Sequence, residues 1–127
     1  MMLPDPQAFA QEWAAAWNAR DVEAVLAHFH DDAVFSSPIA ARMGHGRNGV
    51  VAGKPAIRNY WNSALELHPN LAFSIESVHL GVDSLLIIFT SQDGLRRGEM
   101  LIFDQALVVR GYGMGPAELG LGNQMGR

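Results

Sequence analysis

The sequence contains no cysteine, which removes disulfides, thiolate nucleophiles and thiolate metal sites together. It has no long apolar run either. The longest, LLIIF from Leu85 to Phe89, falls far short of the roughly 20 residues that a membrane-spanning helix needs. Positive charge is scarce, with nine Lys and Arg against thirteen Asp and Glu for a net −4. No basic field gathers nucleic acid or an anionic membrane, so neither is expected as a partner. The opening MMLPDPQ lacks the basic and apolar stretches that direct export. These shortages point to a soluble, cytoplasmic chain.

What is there is enough apolar sequence, 49% of 127 residues, for one domain with a core. Pro4, Asp5 and Pro6 read as an N-cap aspartate and a first-turn proline, predicting a helix over 6–19 whose Phe9, Trp13 and Trp17 form one stripe. Asp21 is a second cap, and VEAVLAHF carries helical spacing through Phe29. AVFSSP reads as a short strand ended by Pro38, and residues 39–53, with four glycines and no sustained period, as a long loop. Lys54 and Pro55 start a third helix in which Ile57, Trp61 and Ala64 share a face, stopped by His68 and Pro69.

Everything after it looks extended: 71–81, 84–90, 97–103 and 106–114, separated by short polar turns. The order α-α-β-α-β-β-β-β gathers strands after helices and implies an α+β domain over 1–114, with a curved antiparallel or mixed sheet wrapped around three helices. Residues 115–127 read as a glycine-rich tail.

HFHDD, residues 28–32, raises the question of a metal. On a helix His28 and His30 point about 200° apart and cannot share an ion, so the expectation is histidines near a helix C-terminus and no metal. His45 in the loop leaves a three-histidine site conceivable. No cofactor is implied.

WNARDVEAVLAHFHDDAVFSSP, followed by GVVAGKPAIRNYW and four strands, resembles the nuclear transport factor 2-like superfamily, in particular its SnoaL-like (polyketide-cyclase-like) branch. The resemblance covers about Phe9 to Met114 and implies a cone: a bent sheet closing over helices, with a cavity open at one end. It does not imply one reaction, since this fold hosts isomerases, epoxide hydrolases, cyclases, dehydratases and non-catalytic proteins. In the steroid isomerases of the superfamily the position of the general-base aspartate matches Ser37, the oxyanion-stabilising tyrosine matches Trp13, and the protonated aspartate matches Glu99. One of the three keeps its chemical type, so that form of isomerisation is not expected. The Asp-Arg-Asp set of the epoxide hydrolases has no clear equivalent.

The expected lining of the cavity is Trp13, Trp17, Phe35, Ser37, Ile57, Trp61, Leu101 and Met114, which suits a small apolar or aromatic molecule. The alternative is that these side chains fill the core. Glu99 alternates with Leu101 and Phe103, so if those two face inward it does also, with a pKa raised by apolar neighbours. It is the expected proton carrier, with Tyr112 or His79 as partner; a structural pairing with Arg97, Arg110 or Arg58 is the competing role. Two functions follow: acid-base catalysis on a small apolar molecule, or a non-catalytic binding or scaffold module. The strands are apolar on both faces, as Leu86 and Ile88 against Leu85, Ile87 and Phe89 illustrate, which predicts a homodimer through the sheet.

Overall fold

The computed structural model describes residues 3–117; the expected tail lies outside the described residues beyond its first three positions. The chain forms α1 (Pro6–Asn18), α2 (Val22–Leu26), β1 (Phe29–Ser36), α3 (Pro38–Arg42), β2 (Val50–Ala52), α4 (Lys54–Leu67), β3 (Ser74–Leu80), β4 (Ser84–Thr90), β5 (Arg96–Asp104) and β6 (Leu107–Met114). The six strands make one sheet in the order β2-β1-β6-β5-β4-β3. Only β1 and β6 run parallel. This is the expected α+β architecture, with one helix and one strand more than the sequence suggested.

Both caps form as the sequence predicts. The Asp5 carboxylate accepts from the backbone N–H groups of Gln7 and Ala8 at 3.0 and 3.1 Å, and that of Asp21 accepts from Ala24 at 3.1 Å. These bonds satisfy donors that the first turns leave orphaned.

Three readings are corrected. The second helix stops at Leu26, and Phe29 opens β1, four residues before the expected strand. Phe29 is buried and registers with Val108, whose N–H donates to the His28 carbonyl at 2.8 Å. Pairing with β6 overrides a helical spacing that local propensity alone favours weakly. The 39–53 segment is not one loop. The Ser37 hydroxyl accepts from the Ala40 N–H at 2.9 Å and starts α3 with Pro38 in its first turn. The chain then returns as β2 beside β1. Gly49 makes that return possible: its φ is +85°, and a Cβ there would meet the Ser37 carbonyl oxygen at 2.7 Å. Finally, β3 carries a bulge between Ile75 and Ser77, which reverses its side-chain alternation.

The core lies between the helices and the inner face of the sheet. Trp13 stacks on Phe73 and meets Phe89 edge-on; Trp17 meets Trp61, and Trp61 meets Phe29 and Phe35, at centroid distances of 5.1–5.5 Å. Long-range backbone ties hold this stack in place. Asn18 pairs with both backbone groups of Phe73, at 3.0 and 2.7 Å, fixing the entry to β3. Arg20 donates to the carbonyls of Leu65, His68 and Pro69 at and just past the end of α4, where Leu65 and His68 also accept the N–H groups of His68 and Leu71. Arg20→Ala is expected to lower unfolding stability by about 1–3 kcal/mol, the usual size for lost hydrogen bonds from a charged donor. Urea denaturation measures this, and an unchanged midpoint would remove the clamp.

Candidate functional site

The candidate groups gather at one end of the sheet. Because β1 and β6 are parallel and β5 runs against them, the last residues of β1, the last of β6 and the first of β5 converge. The other end is closed by packing, with Phe9 edge-on to Phe103 at 5.3 Å. α3 and the turn that follows it lie at the converging end, where the His45 ring stands 5.3 Å from that of Tyr60.

Glu99 faces inward, as the alternation with Leu101 and Phe103 predicts; all three are buried, Glu99 with 6% of its surface exposed. Among the described residues it makes no ion pair and no hydrogen bond. Arg58 is spent on Glu23 at 2.6 Å, Arg97 on Asp93 at 3.0 Å and Arg96 on Glu76 at 2.9 Å. Arg110 lies in register with Ile102 and Val34, on the opposite face of the sheet. The structural pairing weighed for Glu99 does not form. Desolvation alone therefore acts on the carboxyl, pushing its pKa up to about 8.

Space beside this carboxyl comes from β6. Glu99 registers with Gly113 and Leu101 with Gly111. A Cβ on Gly113 would stand 3.0 Å from the Ser37 Cβ, 3.5 Å from the Phe35 ring and 3.7 Å from Glu99 Oε1, so the missing side chain lets these three groups face one another. Ser37 brings a second hydroxyl with it. Its Oγ lies 2.8 Å from the Tyr60 hydroxyl, and Tyr60, from α4, is buried. Burial first, opposed by the Ser37 hydrogen bond, raises the phenol to about 12, with Glu99 adding to the rise and Arg42 and Arg97 opposing it. The phenol stays protonated and available as a donor.

Tyr60 was missed by sequence reasoning. Its signal was the i, i+1 pairing with Trp61 at the boundary of the apolar face of α4, a position that periodicity leaves ambiguous.

Tyr112 and His79 do not join Glu99. Tyr112 registers with Met100 and Ser36, one residue out of phase with Gly113, and so lies on the outer face. His79 is exposed and registers with Leu86 after the β3 bulge has reversed the alternation that placed it with Phe73 and Ile75. Its ring bonds Ser77 Oγ at 3.0 Å instead. Met114, 44% exposed, is also outside, opposite Gly98.

Trp13, Trp17, Phe35, Ile57, Trp61 and Leu101 are all interior, but they pack on one another as a core. The indole N–H groups of Trp13 and Trp17 are buried with no partner among the described residues. An open groove of about 400 Å³ runs along α1 and β3 past Gln11, Asn18, Phe73 and Ser74, and none of those six interior side chains lines it.

No group of three or more potential metal ligands occurs among the described residues. His30 accepts the Asp32 N–H at 3.0 Å, and His28 packs edge-on against Phe9 and lies 3.8 Å from Glu12. No helix of the described residues is long and apolar enough to cross a membrane.

Four helices packed against one face of a six-stranded mixed sheet define the nuclear transport factor 2-like class of α+β domains. Residues 10–110 match the SnoaL-like domain family, and the chain belongs to it. A SnoaL-like protein of unknown function from Burkholderia thailandensis is 33% identical, with a TM-score of 0.81 over 87% of this chain and 94% of that one. TerC, co-crystallised with polyporic acid, shares the fold at 14% identity and a TM-score of 0.73, over 97% and 100% of the two chains. A candidate polyketide cyclase from Sinorhizobium meliloti does so at 14% identity and 0.69, over 88% and 95%. No match is found among curated proteins.

The raised pKa of Glu99 makes stability depend on pH with a definite sign. Below its ordinary value of 4.5 the carboxyl is protonated whether folded or unfolded; above it, only the unfolded chain ionises freely, until about pH 8. Stability therefore falls through this window by roughly 1.4 kcal/mol per pH unit for this one group. Glu99→Gln cannot ionise, so denaturation from pH 4 to 9 should show the variant gaining on the natural chain as pH rises. A difference constant across the window would contradict the shift.

Proposed function

We propose that the chain binds a small apolar or ring-containing molecule at the open end of the cone and carries out acid-base chemistry on it, of the isomerase, cyclase, dehydratase or hydrolase type, with Glu99 moving the proton. One observation carries the reading: a buried carboxyl with no cation or hydrogen-bond partner among the described residues, beside a side-chain-free position on β6. Burying an unpaired ionisable group costs stability, and such groups concentrate where chemistry is done. A group whose pKa lies near 8 is mostly protonated at neutral pH yet releases its proton readily, as a general acid or base requires. Tyr60 takes the role expected of Tyr112 or His79, donating its hydroxyl to an oxygen of the bound molecule. Phe35 and Trp61 provide ring surface next to it. The polyporic acid complex of TerC and the cyclase description of the Sinorhizobium relative support a small-molecule ligand for this fold.

A convenient probe is 2-tetralone, whose protons beside the carbonyl exchange in deuterated buffer. The chain should accelerate exchange, with Glu99→Gln losing about 10²-fold or more and Tyr60→Phe less. Exchange no faster than in buffer, with binding unaltered in Glu99→Gln, would leave the non-catalytic binding module as the better reading.

The outer face of the sheet favours a scaffold role alongside. Leu86, Ile88, Met100 and Ile102 form neighbouring rows there, extended by Tyr112 and Val34, on the face opposite the core that the described helices cover. A second copy of the chain would cover this face isologously. Sedimentation at micromolar concentration should give twice the chain mass, and Ile102→Glu should halve it. A monomer in the natural chain would refute the dimer.

A further inference from the structure

Arg97 is held in a way that ordinary surface arginines are not. Its Nε donates to Ser91 Oγ at 2.9 Å and its Nη2 to Asp93 Oδ2 at 3.0 Å. Asp93 is fixed in turn by the Leu95 N–H at 3.1 Å and by the Ser91 hydroxyl at 2.5 Å. These bonds hold its carboxyl at about 2 against the opposing effect of burial, so it remains the anion that grips the guanidinium. The Arg97 side chain is 17% exposed. The Nε–Nη2 edge of the guanidinium is thus committed, while Nη1 has no hydrogen-bond partner among the described residues.

That nitrogen lies beside Gly115, just past the end of β6. A Cβ on Gly115 would stand 3.2 Å from it, with no other atom within 4 Å. Arg97 and Glu99, two positions apart on β5, share a face, and the charges of both reach the Tyr60 phenol. Arg42 reaches it too, from the last turn of α3, and is exposed with no ion pair among the described residues. Asp93 offsets the charge of Arg97, so Arg42 leaves this rim net positive in a chain of net charge −4. A guanidinium immobilised along one edge with Nη1 unbonded is a preorganised donor for an oxyanion.

We infer that Arg97 anchors an acidic oxygen of the bound molecule, a carboxylate or enolate, at the mouth of the cone and so turns its ring toward Phe35 and Glu99. The ligand class is then an apolar ring bearing one anionic group. Arg97 determines specificity and takes no part in proton transfer. This inference rests on the reading of the Glu99 end as the ligand site.

The test compares two probes of the same shape, 2-naphthoate and neutral 2-naphthamide, by calorimetry on the full chain at pH 7 and low salt. The naphthoate should bind about tenfold more tightly or better, the difference expected of one charge-assisted contact. Arg97→Gln should abolish the preference while leaving naphthamide affinity in place. If Arg97→Gln does not fold, Gly115→Ala, which sets a methyl group against Nη1, should do the same. Equal affinity of the two probes in the natural chain, or a preference surviving the variants, overturns the inference and leaves the binding site standing. Binding of neither probe overturns both.

Discussion

The Glu99 carboxyl is taken out of water with no cation beside it among the described residues, and the rest of the candidate site is arranged around it. An isolated ionised carboxylate in an apolar interior is so unfavourable that the group keeps its proton instead. The interior can hold Glu99 only as a neutral acid over most of the physiological range, with its pKa near 8. In that state it donates a hydrogen bond where an ordinary glutamate would only accept, and the Tyr60 phenol close by is a donor too. This end of the sheet therefore presents donors, which under the proposed function suits a molecule rich in oxygen acceptors.

The isolation of Glu99 is maintained by where the cations go. Three arginines are engaged elsewhere: Arg58 bridges α4 to α2 through Glu23, Arg96 reaches across the outer face to Glu76, and Arg97 is drawn to the β4–β5 turn by Asp93 and Ser91. Strand parity does the rest by sending Arg110 to the opposite face. Glycines at 111 and 113 complete the arrangement, because β6 must pass under Phe35 and Ser37 without side chains of its own; a Cβ on Gly111 would stand 2.7 Å from the Phe35 ring.

Much of this was legible from residues alone where one local rule operated without competition. The caps at Asp5 and Asp21, the helix at Lys54–Leu67, the strand at Ser84–Thr90 and the inward turn of Glu99 all followed from spacing and chemistry. The errors arose where partners distant in sequence decided. Phe29 belongs to a strand because Val108 is there to pair with it. His79 faces out because of a bulge that no residue type between Ile75 and Ser77 announces. Tyr112 was placed with Glu99 although the register opposite β5 reserves the inner face for Gly111 and Gly113. The order β2-β1-β6, which brings Ser37 and Tyr60 to Glu99, is a property of the sheet and is invisible to any window along the chain.

The protonation state of Glu99 is the most direct check on this account. Carbon-13 NMR of chain labelled at the glutamate side-chain carboxyl, with Glu99→Gln assigning the resonance, follows that one group from pH 3 to 10. The account predicts a carboxyl that remains protonated through neutrality and titrates near 8. Titration in the ordinary carboxylate range, close to 4.5, would contradict it and leave the interior without its acid.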